Sequence, residues 1–247
     1  MAHGFRAAAL VWPTLMALVG VAALAALGTW QLQRKAWKEE IVARIEERTR
    51  AAPVSLDAAI AEARQTGNVE YLRVRARGRF RHDEERYFYA PDPRRGPGFH
   101  VYTPLDTSDW TVVFVNRGFV PEALKNPASR PAGQVAGEVE VTGLVRLPGP
   151  KGTFTPANKP ERNLWFWRDL DALYASLGEN GSARTAPFVL EAEASPENLG
   201  GWPQGGVTVL RVPNRHLEYA LTWYGLAGAL VVVYLAFAVT RLRQAES

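Results

Sequence analysis

The 247-residue chain has no cysteine. That absence excludes disulfides, thiolate metal sites, covalent c-type haem attachment and thiol catalysis. Only two methionines and four histidines remain as soft or borderline ligands, too few for a copper carrier. An excess of one charge is also missing: 29 Lys and Arg against 25 Asp and Glu leave +4, spread along the chain. No basic cluster is interleaved with aromatics, so nucleic acid is not an expected partner. The chain contains no G-x-S-x-G elbow, no H-E-x-x-H pair and no phosphate loop. The expectation is a protein that is not an enzyme.

What the chain does have is two long uncharged runs. Ala7–Trp30 covers 24 residues and Tyr219–Thr240 covers 22, each beyond the roughly 20 residues a helix needs to cross a bilayer. The first run has a short charged lead and is too long for a signal-peptide core, so it reads as a retained helix. Trp30 suits a membrane interface, and Gly20 and Gly28 suit close approach by the second helix. Two spans place both termini on one side. The charges do not choose that side: Arg6, Arg241 and Arg243 mark the termini as cytoplasmic, but Arg34, Lys35 and Lys38 sit just beyond the first span. With no transit segment before the first span, a bacterial membrane is the expected location. The division is residues 7–30 as a transmembrane helix, 31–216 as an extramembrane domain and 217–240 as a second transmembrane helix.

Within the domain, Trp30–Ala52 keeps helical spacing, with Ala36, Ile41 and Ile45 as its apolar stripe and Pro53 as its stop. Ser55 can cap a second helix that ends at Gly67. From Tyr71 the period changes to two. Strands are predicted over 71–80, 85–90, 98–105, 110–120, 138–146, 187–193 and 206–212, and a short helix over 168–178. The stretch 126–137 reads as an exposed mobile loop. The fold class is therefore an α+β membrane protein, with two transmembrane helices flanking a mainly antiparallel β domain, a sheet or a partly closed barrel.

Four groups of residues stand out. Arg73, Arg75, Arg77 and Arg79 alternate along one strand; they suit an anion or partner contact, or cross-strand pairs with Glu138 and Glu140. In "VNRGFVP" the strand runs into Asn-Arg-Gly. Gly118 suits a bulge there, and Arg117 is either a partner contact or half of a local ion pair. His82 stands beside Asp83, Glu84 and Glu85, where a metal site competes with a solvated strand end. At the mouth of the second span, Asn214 suits an N-cap and Glu218 the first turn. His216, Tyr219, Ala220, Trp223 and Ala227 fall on one face. That face suits either an interfacial anchor or a haem with His216 as axial ligand to its iron, aromatic flanks and Arg215 near a propionate.

"GTWQLQRKAWKEE", "GFHVYTPL", "VNRGFVP", "VTGLVR", "FTPANKPERNLWFWRDL" and "PNRHLEYALTWYGLA" occur in an order that resembles the Surfeit locus protein 1 family, over nearly the whole chain. One departure is Phe119, where that family usually has tryptophan. The resemblance implies a bacterial inner-membrane protein with both termini cytoplasmic and the large domain periplasmic. It implies an assembly factor that delivers or stabilises haem a for the catalytic subunit of cytochrome c oxidase, with His216 as the haem ligand. The alternative is a scaffold that holds the oxidase subunit and the haem a synthase together without binding haem. Membrane lipid is a partner on either view.

Overall fold

The computed structural model describes residues 2–178, 184–208 and 214–246. These divide into two compact units. One takes in the chain up to Arg44 and the C-terminal helix; the other begins at Ile45 and holds the β structure.

The helical unit is built on α1 (Ala2–Arg50) and α4 (His216–Glu246). Both are long and apolar enough to cross a membrane. At about 1.5 Å per residue, the 49 residues of α1 extend about 73 Å, against about 30 Å of bilayer hydrocarbon. The charged segment after Trp30 therefore continues the same helix, and it belongs with the helical unit up to Arg44. Lys35 Nζ meets Glu39 at 2.7 Å and Arg50 meets Glu46 at 3.3 Å, both four residues apart, which supports an exposed helix. The helix ends at Arg50, three residues before Pro53, whose ring disfavours helical backbone at the residue before it.

The helices run antiparallel. Thr29 Oγ1 bonds Tyr224 Oη at 2.9 Å, and Thr14 Oγ1 bonds Tyr234 Oη. The Tyr224 ring lies against Gly28, where a Cβ would stand 2.8 Å from Cζ. Small residues allow this approach in apolar surroundings, where water cannot drive association.

The second unit opens with β1 (Val54–Ser55) and α2 (Leu56–Thr66). Ser55 Oγ accepts from the Ala58 N–H at 3.2 Å, the expected cap, and Gly67 ends the helix. Eight further strands follow among the described residues: β2 (Arg73–Phe80), β3 (Arg86–Tyr89), β4 (Gly98–Asp106), β5 (Thr111–Pro121), β6 (Val139–Arg146), β7 (Leu164–Trp165) and, after α3 (Leu170–Ala175), β8 (Arg184–Thr185) and β9 (Val189–Ala192). The order β2-β6-β9-β5-β4 returns to β2 through Arg79↔Asp106 and Phe80↔Leu105. This closes a five-stranded barrel. Most pairs are antiparallel, β5–β9 being parallel. Closure removes the sheet edges that would otherwise invite pairing with other chains.

The core is continuous with this closure. Val74, Ala76, Leu105, Val113, Val115, Val145, Phe188 and Leu190 pack with Leu56, Ala59 and Ile60 of α2. Each fully buried Val, Leu, Ile or Phe side chain among them contributes about 1.5–3 kcal/mol. A second cluster gathers Phe88, Tyr102, Phe114 and Trp165 with Leu173 of α3, and a third gathers Tyr87, Phe99, Val101 and Val120.

Two expectations change. No strand forms at Gly206–Thr208, because Gly206 has φ 70°, outside extended backbone; the rest of the predicted 206–212 strand lies outside the described residues. The stretch 126–137 is not a free loop. Short 3-10 turns at Pro127–Ser129 and Pro131–Gly133 flank Arg130, which is 4 % exposed and anchored.

Candidate functional site

The head of α4 starts from its first turn. Asn214 Oδ1 accepts the His216 N–H at 3.4 Å, so the asparagine caps from two residues before the helix. Glu218 sits near the positive end of the dipole and pairs with Arg215 Nε at 3.2 Å. Both side chains are largely exposed, so this pair holds Arg215 weakly.

His216 is half-buried, and its Nδ1 lies 2.7 Å from Gln31 Oε1, on α1. The amide oxygen can only accept, so Nδ1 donates, and in the neutral ring it is Nε2 that keeps the lone pair. Among the described residues no hydrogen bond is made to Nε2. The predicted strip divides. Ala220 and Ala227 are buried and Trp223 is half-buried, whereas Tyr219 is 54 % exposed. The alanines therefore serve the covered face and do not provide room for a ligand. What remains is one imidazole lone pair, an exposed phenol ring, an indole and a loosely held guanidinium. That donor set fits an axially ligated haem with acidic side groups.

The other predicted residues belong to the barrel unit. Arg117 is 1 % exposed, so it cannot present its charge to a partner. The backbone explains why. In the β4–β5 ladder His100 opposes Phe119 but Tyr102 opposes Asn116, so Val101 faces two residues, Arg117 and Gly118. This bulge places Gly118 at φ 121° and turns Arg117 inward. A Cβ on Gly118 would stand 1.9 Å from the Gln204 carbonyl oxygen. Arg117 Nη1 faces Glu85 Oε1 at 3.6 Å, Nη2 donates to Gly133 O and to Asn198 Oδ1 (3.2 Å), and the guanidinium lies over the Phe80 ring. Burial pushes its pKa down to about 10, against the pull of Glu85 and with a further push from Arg130.

Arg130 completes the cluster. Its Nη1 and Nη2 both reach the Glu85 carboxylate, and its Nε donates to Leu124 O at 3.0 Å. Tyr87 Oη donates to the same carboxylate at 2.9 Å. His82 borders the cluster. Arg117 Nη1 approaches His82 Nδ1 at 3.3 Å, and guanidinium only donates, so Nδ1 accepts and Nε2–H donates to Val135 O at 3.0 Å. Burial holds the His82 pKa below its ordinary value, and nearby Arg117 and Arg130 act in the same direction. Among the described residues no group of three or more His, Cys, Asp or Glu is placed to hold a metal ion.

Arg73 makes a bidentate pair with Glu193, at 2.6 and 2.9 Å. Arg75 and Arg77 flank Glu140 at 3.6 and 2.6 Å. The arginine row is thus largely engaged in cross-strand pairs. The sequence does not single out Gln31 or Arg130, and it offers Glu85 only as part of an acidic run at a metal site or a solvated strand end, whereas the structure buries it at 2 % exposure. Gln31 is the first polar side chain after the uncharged run, which is a visible signal; Glu85 and Arg130 are 45 positions apart and carry none.

The SURF1 family model matches residues 18–228. The chain belongs to the SURF1 family. Surfeit locus protein 1 from Rattus norvegicus is 40 % identical over 218 residues, 82 % of this chain and 68 % of that protein. The Homo sapiens protein of that name is 39 % identical over 219 residues, 82 % and 70 % respectively. That from Takifugu rubripes is 35 % identical over 233 residues, covering 88 % of this chain and 93 % of its own. The span matched by the SURF1 family model includes Gln31, the Glu85 cluster and the head of α4 through Trp223.

Proposed function

We propose that this chain is a non-enzymatic assembly factor for haem-copper cytochrome c oxidase, holding haem a through His216 for insertion into the catalytic subunit. The observation that supports this is the His216 Nε2 lone pair, free of any hydrogen bond among the described residues, at the head of a helix long and apolar enough to cross a membrane. Haem would supply the redox centre of the oxidase; this protein's part is to hold it. His216 would hold the iron through Nε2, Tyr219 and Trp223 would supply aromatic surface for the macrocycle, and Arg215, now paired with Glu218, would be the cation available to a propionate. Purification after co-expression with haem a synthesis genes tests this by absorbance. The wild type is expected to carry haem and His216→Ala to lose it; full occupancy in the variant rejects the ligand assignment.

The finer placement is a bacterial inner membrane with the barrel unit in the periplasm and both termini cytoplasmic. Because the chain lacks cysteine, Ser108→Cys on the exposed β4–β5 turn gives one reporter. An impermeant maleimide is expected to label it from the outer side of spheroplasts.

A scaffold reading draws on a different observation. Trp110 is 82 % exposed, adopts φ 62°, and rims a groove of about 400 Å³ with Arg79, Asp106 and Glu138. An exposed indole in left-handed backbone suits protein contact more than stability. Co-purified oxidase subunit or haem a synthase with a haem-free spectrum would favour it.

A further inference from the structure

We infer that Gln31 is a positioning residue for His216: its side-chain carbonyl holds the Nδ1–H, so that Nε2 is the nitrogen presented to the haem iron. This rests on the haem-ligand reading of His216. A free imidazole shares its proton between two nitrogens and turns about its side-chain bonds. Here Nδ1 is held at 2.7 Å by an acceptor 185 positions away, on the other helix of the pair. The bond therefore fixes the tautomer, limits the ring's rotation and ties the head of α4 to α1 at once. Metal-ligating histidines are commonly oriented by such an acceptor on the second ring nitrogen, and that acceptor raises the basicity of the first. A neutral amide does this more weakly than a carboxylate, which makes the two chemically separable.

Glutamine at this position also accounts for a polar residue directly after Trp30, where the apolar run could have continued. Its neighbour Gln33 is exposed, as a helix surface residue should be, whereas Gln31 is half-buried. The absence of cysteine leaves His216 without a competing thiolate ligand.

The test uses the full-length chain in detergent, titrated separately with haem a and with ferric protoporphyrin IX. The readouts are Kd, Soret position and reduction potential, with thermal unfolding as a control. Gln31→Leu is expected to weaken binding about 10- to 100-fold, the range for losing an orienting partner, and to shift the Soret band. Gln31→Glu is expected to keep wild-type affinity or better and to lower the reduction potential, because a carboxylate gives the ring more imidazolate character. Gln31→Asn, one methylene shorter, should behave like the leucine variant while staying polar, and serves if the leucine variant does not fold. Wild-type Kd, Soret position and potential in Gln31→Leu or Gln31→Asn would overturn the inference. His216→Ala separates the two readings. If it loses haem while the Gln31 variants do not, only the positioning role falls. If it binds haem as the wild type does, or if the wild type binds neither probe, the ligand reading falls and this inference with it.

Discussion

In the barrel unit, Glu85 is 2 % exposed and meets two guanidinium groups and a phenol, while in the helical unit His216 is half-buried and meets a single neutral amide. The barrel repeats its arrangement at Glu191, 5 % exposed, which lies 3.1 Å from Arg146 and 3.6 Å from Arg168. Acidic oxygens buried there meet cations on more than one side. A buried charge that lacks such partners is costly, so these clusters hold the fold in one arrangement and keep little capacity for a ligand. The helical unit keeps one ring nitrogen uncommitted, and binding chemistry needs an uncommitted lone pair.

The comparison predicts graded effects. The largest follows from Glu85→Ala, which leaves Arg117 and Arg130 buried without their carboxylate and should cost about 3–5 kcal/mol. Urea unfolding of the purified protein measures it, and a loss below about 1 kcal/mol would break the view that the cluster is structural. Gly118→Ala comes next. Left-handed strain alone should cost about 1–3 kcal/mol, and the contact with the Gln204 carbonyl adds to it. Gly28→Ile should cost about 1–3 kcal/mol through overpacking against Tyr224, read as lost pairing of the two helices in detergent.

A pH effect is smaller. Burial lowers the pKa of both His82 and His100 in the folded state. Between that lowered value and the ordinary one near 6.5, the unfolded chain binds more protons than the folded one. Stability should therefore rise with pH through this window and be lost as pH falls through it, the whole contribution being gone below the folded value. Urea midpoints between pH 5 and pH 8 check this, and His82→Gln should flatten part of the slope. The smallest effect is expected from His216→Ala, which should leave the barrel's unfolding midpoint unchanged; a marked drop would mean that His216 also serves stability.

Much of the fold was legible because local rules decide it. The two uncharged runs, the Ser55 cap and the alternation in "YLRVRARGRF" each follow from neighbouring residues, and β2 begins at Arg73, two residues after the alternation starts. Barrel closure was legible only as an option, since the β2–β4 pairing joins residues 79–80 to 105–106 and no local pattern carries it. The candidate site divides in the same way. His216, Tyr219 and Trp223 share an element and could be found by spacing. Gln31 comes from the far end of the chain, and Arg130 lay in a proline- and glycine-rich stretch whose composition suggested exposure. Composition describes what a backbone can tolerate; a buried ion pair 45 positions apart decided what this one does.

The bulge in β5 reverses the parity of that strand. On β4, odd positions share one face from end to end: Leu105 joins the main core, and Val101 and Phe99 join the cluster below it. On β5 the matching face is carried by odd positions Val113 and Val115 before the bulge and by even position Val120 after it. The extra residue thus acts as a frame marker, and both ends of the strand depend on it. Deleting either Arg117 or Gly118 would leave plain alternation, with Phe119 and Val120 still opposite His100 and Phe99, whereas drawing both residues into regular pairing would exchange the facings of everything from there to Pro121.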